Sequence, residues 1–202
     1  ASGWEYDFWQ VQSKPAGGGT IDVGWGGRTQ TSGNGLGAQA TAAGFGLQAG
    51  VIRAPELAAG RIDHALFMTV RCTTGGHVYP ASGGGSACAD RSDAPAGGMR
   101  FELDYSDAQI DALAVPAWKK TILRALARYG AFIGDTGGSG IGFELQSGAT
   151  FTSFGYPDQM VRFAQTQPGV SVWDGQYVFN MSDGVDWSRL RVIAPCVTSG
   201  AC

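Results

Sequence analysis

Apolar and polar residues alternate in several short runs, the pattern of strands that turn every second side chain toward a core. The clearest run is 61–72, where Ile62, His64, Leu66, Met68 and Val70 alternate with Asp63, Ala65, Phe67, Thr69 and Arg71. Both series are apolar enough for a central strand. Residues 100–105 set Phe101, Leu103 and Tyr105 against Arg100, Glu102 and Asp104, which predicts a strand with one wet face. Residues 4–11 and 20–25 are aromatic-rich strand candidates separated by Pro-Ala-Gly-Gly-Gly. Short strands are also predicted at 131–135, 142–146, 150–154, 170–173, 176–180 and 190–193, between turn signals.

The period changes to that of a helix near the middle. Pro116 suits a first turn, Trp118, Ile122, Ala125, Leu126 and Tyr129 form one stripe, and Gly130 stands where a C-terminal cap belongs, so about 116–129 reads as an amphipathic helix. Lys120, Arg124 and Arg128 form its opposite, basic stripe. A short helical turn is predicted around 106–113, with Ser106 as cap and Asp107 in the first turn. Residues 24–50 carry glycine at almost every second or third place and read as loop. Short strands, glycine turns and one main helix predict an all-β fold, a β-sandwich of jelly-roll type, with residues 1–202 as a single domain.

Composition narrows the function. Glycine supplies 33 of the 202 residues, yet six Trp, six Tyr and ten Phe give ample material for a packed core, so the chain is neither disordered nor collagen-like. The formal net charge is -3 and the 14 Lys and Arg residues are scattered, which removes the basic footprint of a nucleic-acid binder. The longest apolar stretch, 65–70, is far shorter than the ~20 residues of a membrane span. Cys72 and Cys88 bracket a Gly/Ser-rich excursion, and Cys196 and Cys202 bracket the last residues. Neither pair has metal-ligand spacing, and the favoured pairing of the three available is Cys72 with Cys88 and Cys196 with Cys202. Disulfides imply an oxidising compartment, so the chain is expected to be secreted.

The segment Gly134-Asp135-Thr136-Gly137-Gly138-Ser139 resembles the Gly-Asp-Ser-Gly-Gly signature of chymotrypsin-like serine proteases. That likeness implies a Ser nucleophile and a His base, but Thr136 occupies the nucleophile position and Gly44 stands where the histidine motif needs His. Two histidines in all, His64 and His77, cannot build a His-rich metal site, so no metal and no cofactor are expected. The Asp-rich turns at 90–93 and 183–186 are the places where a structural calcium ion would sit.

Glycoside hydrolysis needs two carboxyl groups ~5 to 10 Å apart, one protonated and one ionised. Glu56, Asp135 and Glu144 flank glycine-rich segments that let a ligand approach the backbone, and Glu56 with Asp135 is the chosen pair. His64 is placed in the same cleft as a third catalytic residue, with Arg53 and Arg128 binding substrate and tuning the carboxyls. Sugars stack on aromatic faces, and Trp9, Trp25, Tyr129, Tyr156 and Trp173 stand beside glycines or polar residues. Trp25 and Tyr129 are the chosen platforms. The structural alternative pairs Asp135 with Arg128 and Glu56 with Arg53 as ordinary ion pairs.

The run 53–66, together with Arg128-Tyr129-Gly130 leading into Gly134-Asp135, resembles a group of secreted bacterial proteins common in actinobacteria, over about residue 6 to the end. The resemblance implies secretion and marks Arg53, Glu56, His64 and Asp135 as positions to test. The expected function is a secreted polysaccharide-active enzyme, a glycoside hydrolase, with a polysaccharide or oligosaccharide as partner. Two alternatives stand beside it: a non-catalytic glycan-binding or cell-surface module, and a polysaccharide lyase using Arg53, His64, Tyr79 and Tyr129.

Overall fold

The computed structural model describes residues 3–33, 41–138 and 140–193. Its central element is a mixed sheet of five strands: β3 (Leu66–Val70), β4 (Arg100–Leu103), β5 (Ala131–Thr136), β6 (Gly142–Phe143) and β9 (Leu190–Ile193). They lie in the order β6-β3-β5-β4-β9. β3 and β5 run parallel, and the remaining pairs are antiparallel. Two hairpins stand apart from this sheet, β1 (Trp4–Ser13) with β2 (Asp22–Gln30), and β7 (Val170–Trp173) with β8 (Gln176–Phe179). Five α-helices, α1 (Ala54–Ala59), α2 (Asp107–Ala112), α3 (Ala117–Arg128), α4 (Ala149–Ser153) and α5 (Gln159–Ala164), and one short 3-10 turn, Trp187–Arg189, complete the elements of the described residues.

Strand residues outnumber helical ones, and in that sense the chain is mainly β as expected. The two facing sheets of a jelly roll are not formed among the described residues. A parallel pair such as β3 and β5 needs a crossover, and here α3 ends two residues before β5 begins, which lays a helical layer on the sheet. Trp118, Ile122, Leu123, Ala125 and Leu126 of α3 form one core with Leu66, Met68, Val70, Leu103, Ala131 and Ile133 of the sheet. The basic stripe of α3 is tied to α2, Arg124 to Asp111 and Arg128 to Asp107 at 2.6 Å. α2 starts as predicted, with Ser106 and Gln109 in a reciprocal capping box.

The other face of the sheet carries Phe67 and Phe132. Phe45 covers both, with ring centroids 5.7 and 6.4 Å away. Phe45 belongs to the glycine-rich stretch read as loop, and that reading holds for 41–50 but not for 24–30, which is β2. The glycines of β2 leave room for the opposite strand: a Cβ on Gly26 would lie 2.9 Å from the Phe8 ring, and one on Gly24 2.8 Å from the Gln10 side chain.

Three further differences have local causes. The predicted strand 61–72 shrinks to Leu66–Val70, because α1 precedes it and closes on Gly60 in the left-handed conformation at φ +69°. Residues 149–153 form α4 rather than a strand, a run too short for its period to decide. α5, capped by Asp158, had no counterpart among the predicted elements. The Cys72–Cys88 disulfide is formed, while Cys196 and Cys202 lie outside the described residues.

Candidate functional site

Gly134 interrupts the β3–β5 ladder. Met68 pairs with Ile133 and Thr69 with Asp135, so Gly134 is the extra residue of a β-bulge. Its carbonyl accepts a hydrogen bond from Ala43 N at 2.9 Å. A side chain there would run into the Phe67 ring. Beyond the bulge Asp135 shares a face with Thr69, the face that carries Phe67 and points away from the helical layer.

Asp135 is half-buried. Oδ1 accepts a hydrogen bond from the Thr136 amide at 2.7 Å. Burial holds the carboxyl above its ordinary value, and the amide hydrogen bond works in the opposite direction. Glu144 follows β6 directly, and its amide donates to Phe67 O at 3.2 Å. It therefore lies about two strand spacings from Asp135, roughly 10 Å at the backbone, with β3 between them. Burial raises the Glu144 carboxyl first, and the charge of Asp135 raises it further. Among the described residues no group donates a hydrogen bond to it.

A cleft of about 510 Å³ opens above Asp135 and Thr136, at the carboxyl end of the parallel strands. One wall is the 41–44 loop, with Thr41, Ala42 and Gly44; a second is Gly83, Gly85 and Ser86 of the excursion closed by the Cys72–Cys88 disulfide. Backbone hydrogen bonds hold these walls in place. Ser82 N donates to Ala43 O at 2.8 Å, Thr73 N to Ser86 O at 2.9 Å, and Ser86 N to Thr136 Oγ1 at 3.0 Å. Trp9 and Trp25, paired across the β1–β2 hairpin, complete the lining. Both residues are largely exposed, at 59% and 57%.

The hairpin turns its polar side toward the body of the molecule. Glu5, Asp7 and Trp9 share that side with Thr29 and Trp25, while Trp4, Tyr6 and Phe8 face outward and are exposed. Glu5 Oε1 accepts a hydrogen bond from Gln48 N at 2.8 Å. Burial and the charge of Glu5 push the Asp7 carboxyl up to about 6, against a backbone hydrogen bond from Leu47.

The residues singled out in the sequence separate into two places. Asp135 and Trp25 meet in the cleft. Arg53, Glu56 and His64 meet elsewhere, where α1 leads into β3: His64 Nε2 lies 3.0 Å from Glu56 Oε1, and Arg53 Nη1 lies 3.4 Å from the same oxygen and 3.3 Å from His64 Nε2. The other His64 nitrogen faces Ala65 O at 2.9 Å. This cluster caps the amino end of β3, whereas Asp135 is at the carboxyl end of the parallel β5, so Glu56 and Asp135 are not brought together. Arg128 and Tyr129 are also at the wrong end of β5. Arg128 is occupied by Asp107, and Tyr129 Oη donates to Asp63 at 3.4 Å while its carbonyl accepts from Arg100.

Asp90 and Asp186 are used as turn caps, each accepting from the backbone and hydroxyl of a serine two residues on. Among the described residues no group of three or more His, Cys, Asp or Glu is arranged to hold a metal ion. No described helix is long and apolar enough to cross a membrane. Trp9 and Glu144 are the cleft-side residues that the chosen pair and platforms left out. Trp9 stands out in the sequence by its neighbours and Glu144 by its glycine flank, but only the packing of the hairpin over the cleft and the sheet order β6-β3-β5 bring them near Asp135. No protein-family model, curated protein or solved structure matches the chain.

Proposed function

We propose that the chain is a secreted, polysaccharide-active protein that hydrolyses glycosidic bonds in the cleft above Asp135. The observation that carries this reading is the placing of two exposed tryptophan faces opposite a half-buried carboxyl group in one open cleft. Tryptophan faces stack on the C–H faces of sugar rings and leave the hydroxyls free. Asp135, helped by the Thr136 amide, is the group that ionises, and acts as base or nucleophile. Glu144, across β3 from Asp135 and outside the cleft lining, is disfavoured as an anion by burial and by the charge of Asp135, and is the group assigned the role of acid. Both carboxyl values are displaced upward from the ordinary range by burial, so the pH limits of activity are expected above those of free carboxyl groups. The disulfide supports secretion.

The lyase alternative gains no support from the geometry. It requires a cation or amide beside a uronate carboxylate, and Arg53, His64 and Tyr129 lie outside the cleft. The binding-module alternative rests on the same tryptophans and separates from hydrolysis by turnover. The test is a panel of polysaccharides assayed for new reducing ends with the wild-type chain, Asp135→Asn and Glu144→Gln. Each substitution is expected to lower turnover by about 10² or more. Full activity in both variants would overturn the assignment, and retention on a glycan without any cleavage would make the cleft a binding site only.

A further inference from the structure

The charge of the cleft bears on which glycans it takes, an inference that rests on the reading of the cleft as a glycan site. Its described lining contains one ionisable side chain, Asp135, and no Lys, Arg or His. Residues 1–2, 34–40, 139 and 194–202 carry no charged side chain in the sequence, so none of them supplies a missing cation. Further carboxylates stand near the cleft, and Arg71, His77 and Arg91 of the disulfide-closed segment and its flanks are not among its described lining residues. Glu144 stands beyond Asp135 on the sheet, and Glu5 and Asp7 are on the inward side of the hairpin. Arg28 is held over the Trp4 ring on the outward side of the hairpin, 4.4 Å from its centroid, and Arg53 and Arg128 are engaged by Glu56 and Asp107 at the other end of the sheet.

Tryptophan faces add to this field, because the ring quadrupole presents negative potential to whatever stacks on it. A uronate or sulfated glycan entering here would meet Asp135 and two ring faces with no counter-charge. A neutral sugar would stack and donate a hydroxyl hydrogen bond to Asp135, but would leave the charge of the carboxylate uncompensated. A sugar bearing an ammonium group satisfies both features, stacking on the rings and placing its charge against the carboxylate. We propose that the cleft takes an amino-sugar polysaccharide with free amines, one ammonium group pairing with Asp135 while the sugar rings stack on Trp9 and Trp25.

The experiment is titration calorimetry of the full chain with three oligomers of equal length: glucosamine, N-acetylglucosamine and galacturonic acid, each at low and high salt. The glucosamine oligomer is expected to bind at least about tenfold more tightly than the acetylated one, and to lose that advantage as salt rises. Asp135→Asn is expected to abolish the preference. Trp25→Ala, at an exposed position that leaves the core untouched, is expected to weaken both amino-sugar oligomers. Equal or tighter binding of the acetylated or galacturonate oligomer, or a preference that survives Asp135→Asn, overturns the inference. If a neutral glycan is cleaved with no preference for amines, the inference falls and the hydrolase reading stands; if no glycan is bound or cleaved, both fall.

Discussion

Asp7 shows how a carboxyl group in a hairpin strand comes to oppose its own fold at neutral pH. It is half-buried beside Glu5, and its value of about 6 lies above the 3.8 of an unconstrained aspartate. A group that binds its proton more tightly when folded contributes stability below the unfolded value and loses it as pH rises through the folded one. The chain is therefore expected to lose about 1 kcal/mol between pH 4 and pH 7 from this group, after allowing for solvent screening of a half-exposed pair. Asp7→Asn should flatten thermal stability across that window, as measured by Tm against pH. A variant with the same pH profile as the wild type would show that Asp7 and Glu5 do not interact in this way. Neither carboxyl was legible as special in the sequence, because the alternation of residues 4–9 does not say which side of a lone hairpin faces inward.

Elements were readable where their own residues decide them. The stripe, the Pro116 entry and Gly130 define α3 within one residue at each end, and Ser106 as cap with Asp107 in the first turn marks the start of α2. The capping signals of α1 were also present, with Pro55 in the first turn and Gly60 beyond the last, but a six-residue helix offers no period to confirm them. Glycine was the residue type that misled. In β2 it answers to Phe8 and Gln10 of the opposite strand, and such a cause cannot be read from the segment itself. In β5 it answers to Phe67 of β3. Gly134→Ala is expected to cost about 1 to 3 kcal/mol, from forcing a methyl group into the Phe67 ring, and to displace Asp135 with loss of turnover. Chemical unfolding and the reducing-end assay read the two effects, and Phe67→Leu in the same chain should recover part of the stability. Unchanged stability in Gly134→Ala would show that the bulge is not held by this contact.

For the molecule as a whole, strand direction explains why half of the site was legible and half was not. The sequence marks Glu56, His64 and Asp135 as residues worth testing, yet nothing in it says that β3 and β5 run parallel and so hold the first two at the opposite end from the third. The Arg53–Glu56–His64 cluster has a structural task instead. Arg53 Nη2 donates to Gln48 O, and the amide of the same Gln48 holds Glu5 of the hairpin, so the cluster and the hairpin grip one loop from two sides. Glu56→Gln is expected to lower stability by about 1 kcal/mol and to leave turnover within twofold, as checked by unfolding and by the reducing-end assay. A loss of turnover as large as that of Asp135→Asn would return Glu56 to the catalytic pair. Gly134 has a consequence of a different kind, because it sets the phase of β5. Side chains along a strand alternate between odd and even sides, and one inserted residue exchanges them. Were Gly134 held in the ladder instead of bulged out, it would stand opposite Thr69 and Asp135 opposite Val70, and the carboxyl would project into the leucines and isoleucines of the α3 layer; the bulging of a single glycine thus decides whether this aspartate belongs to the core or to the cleft.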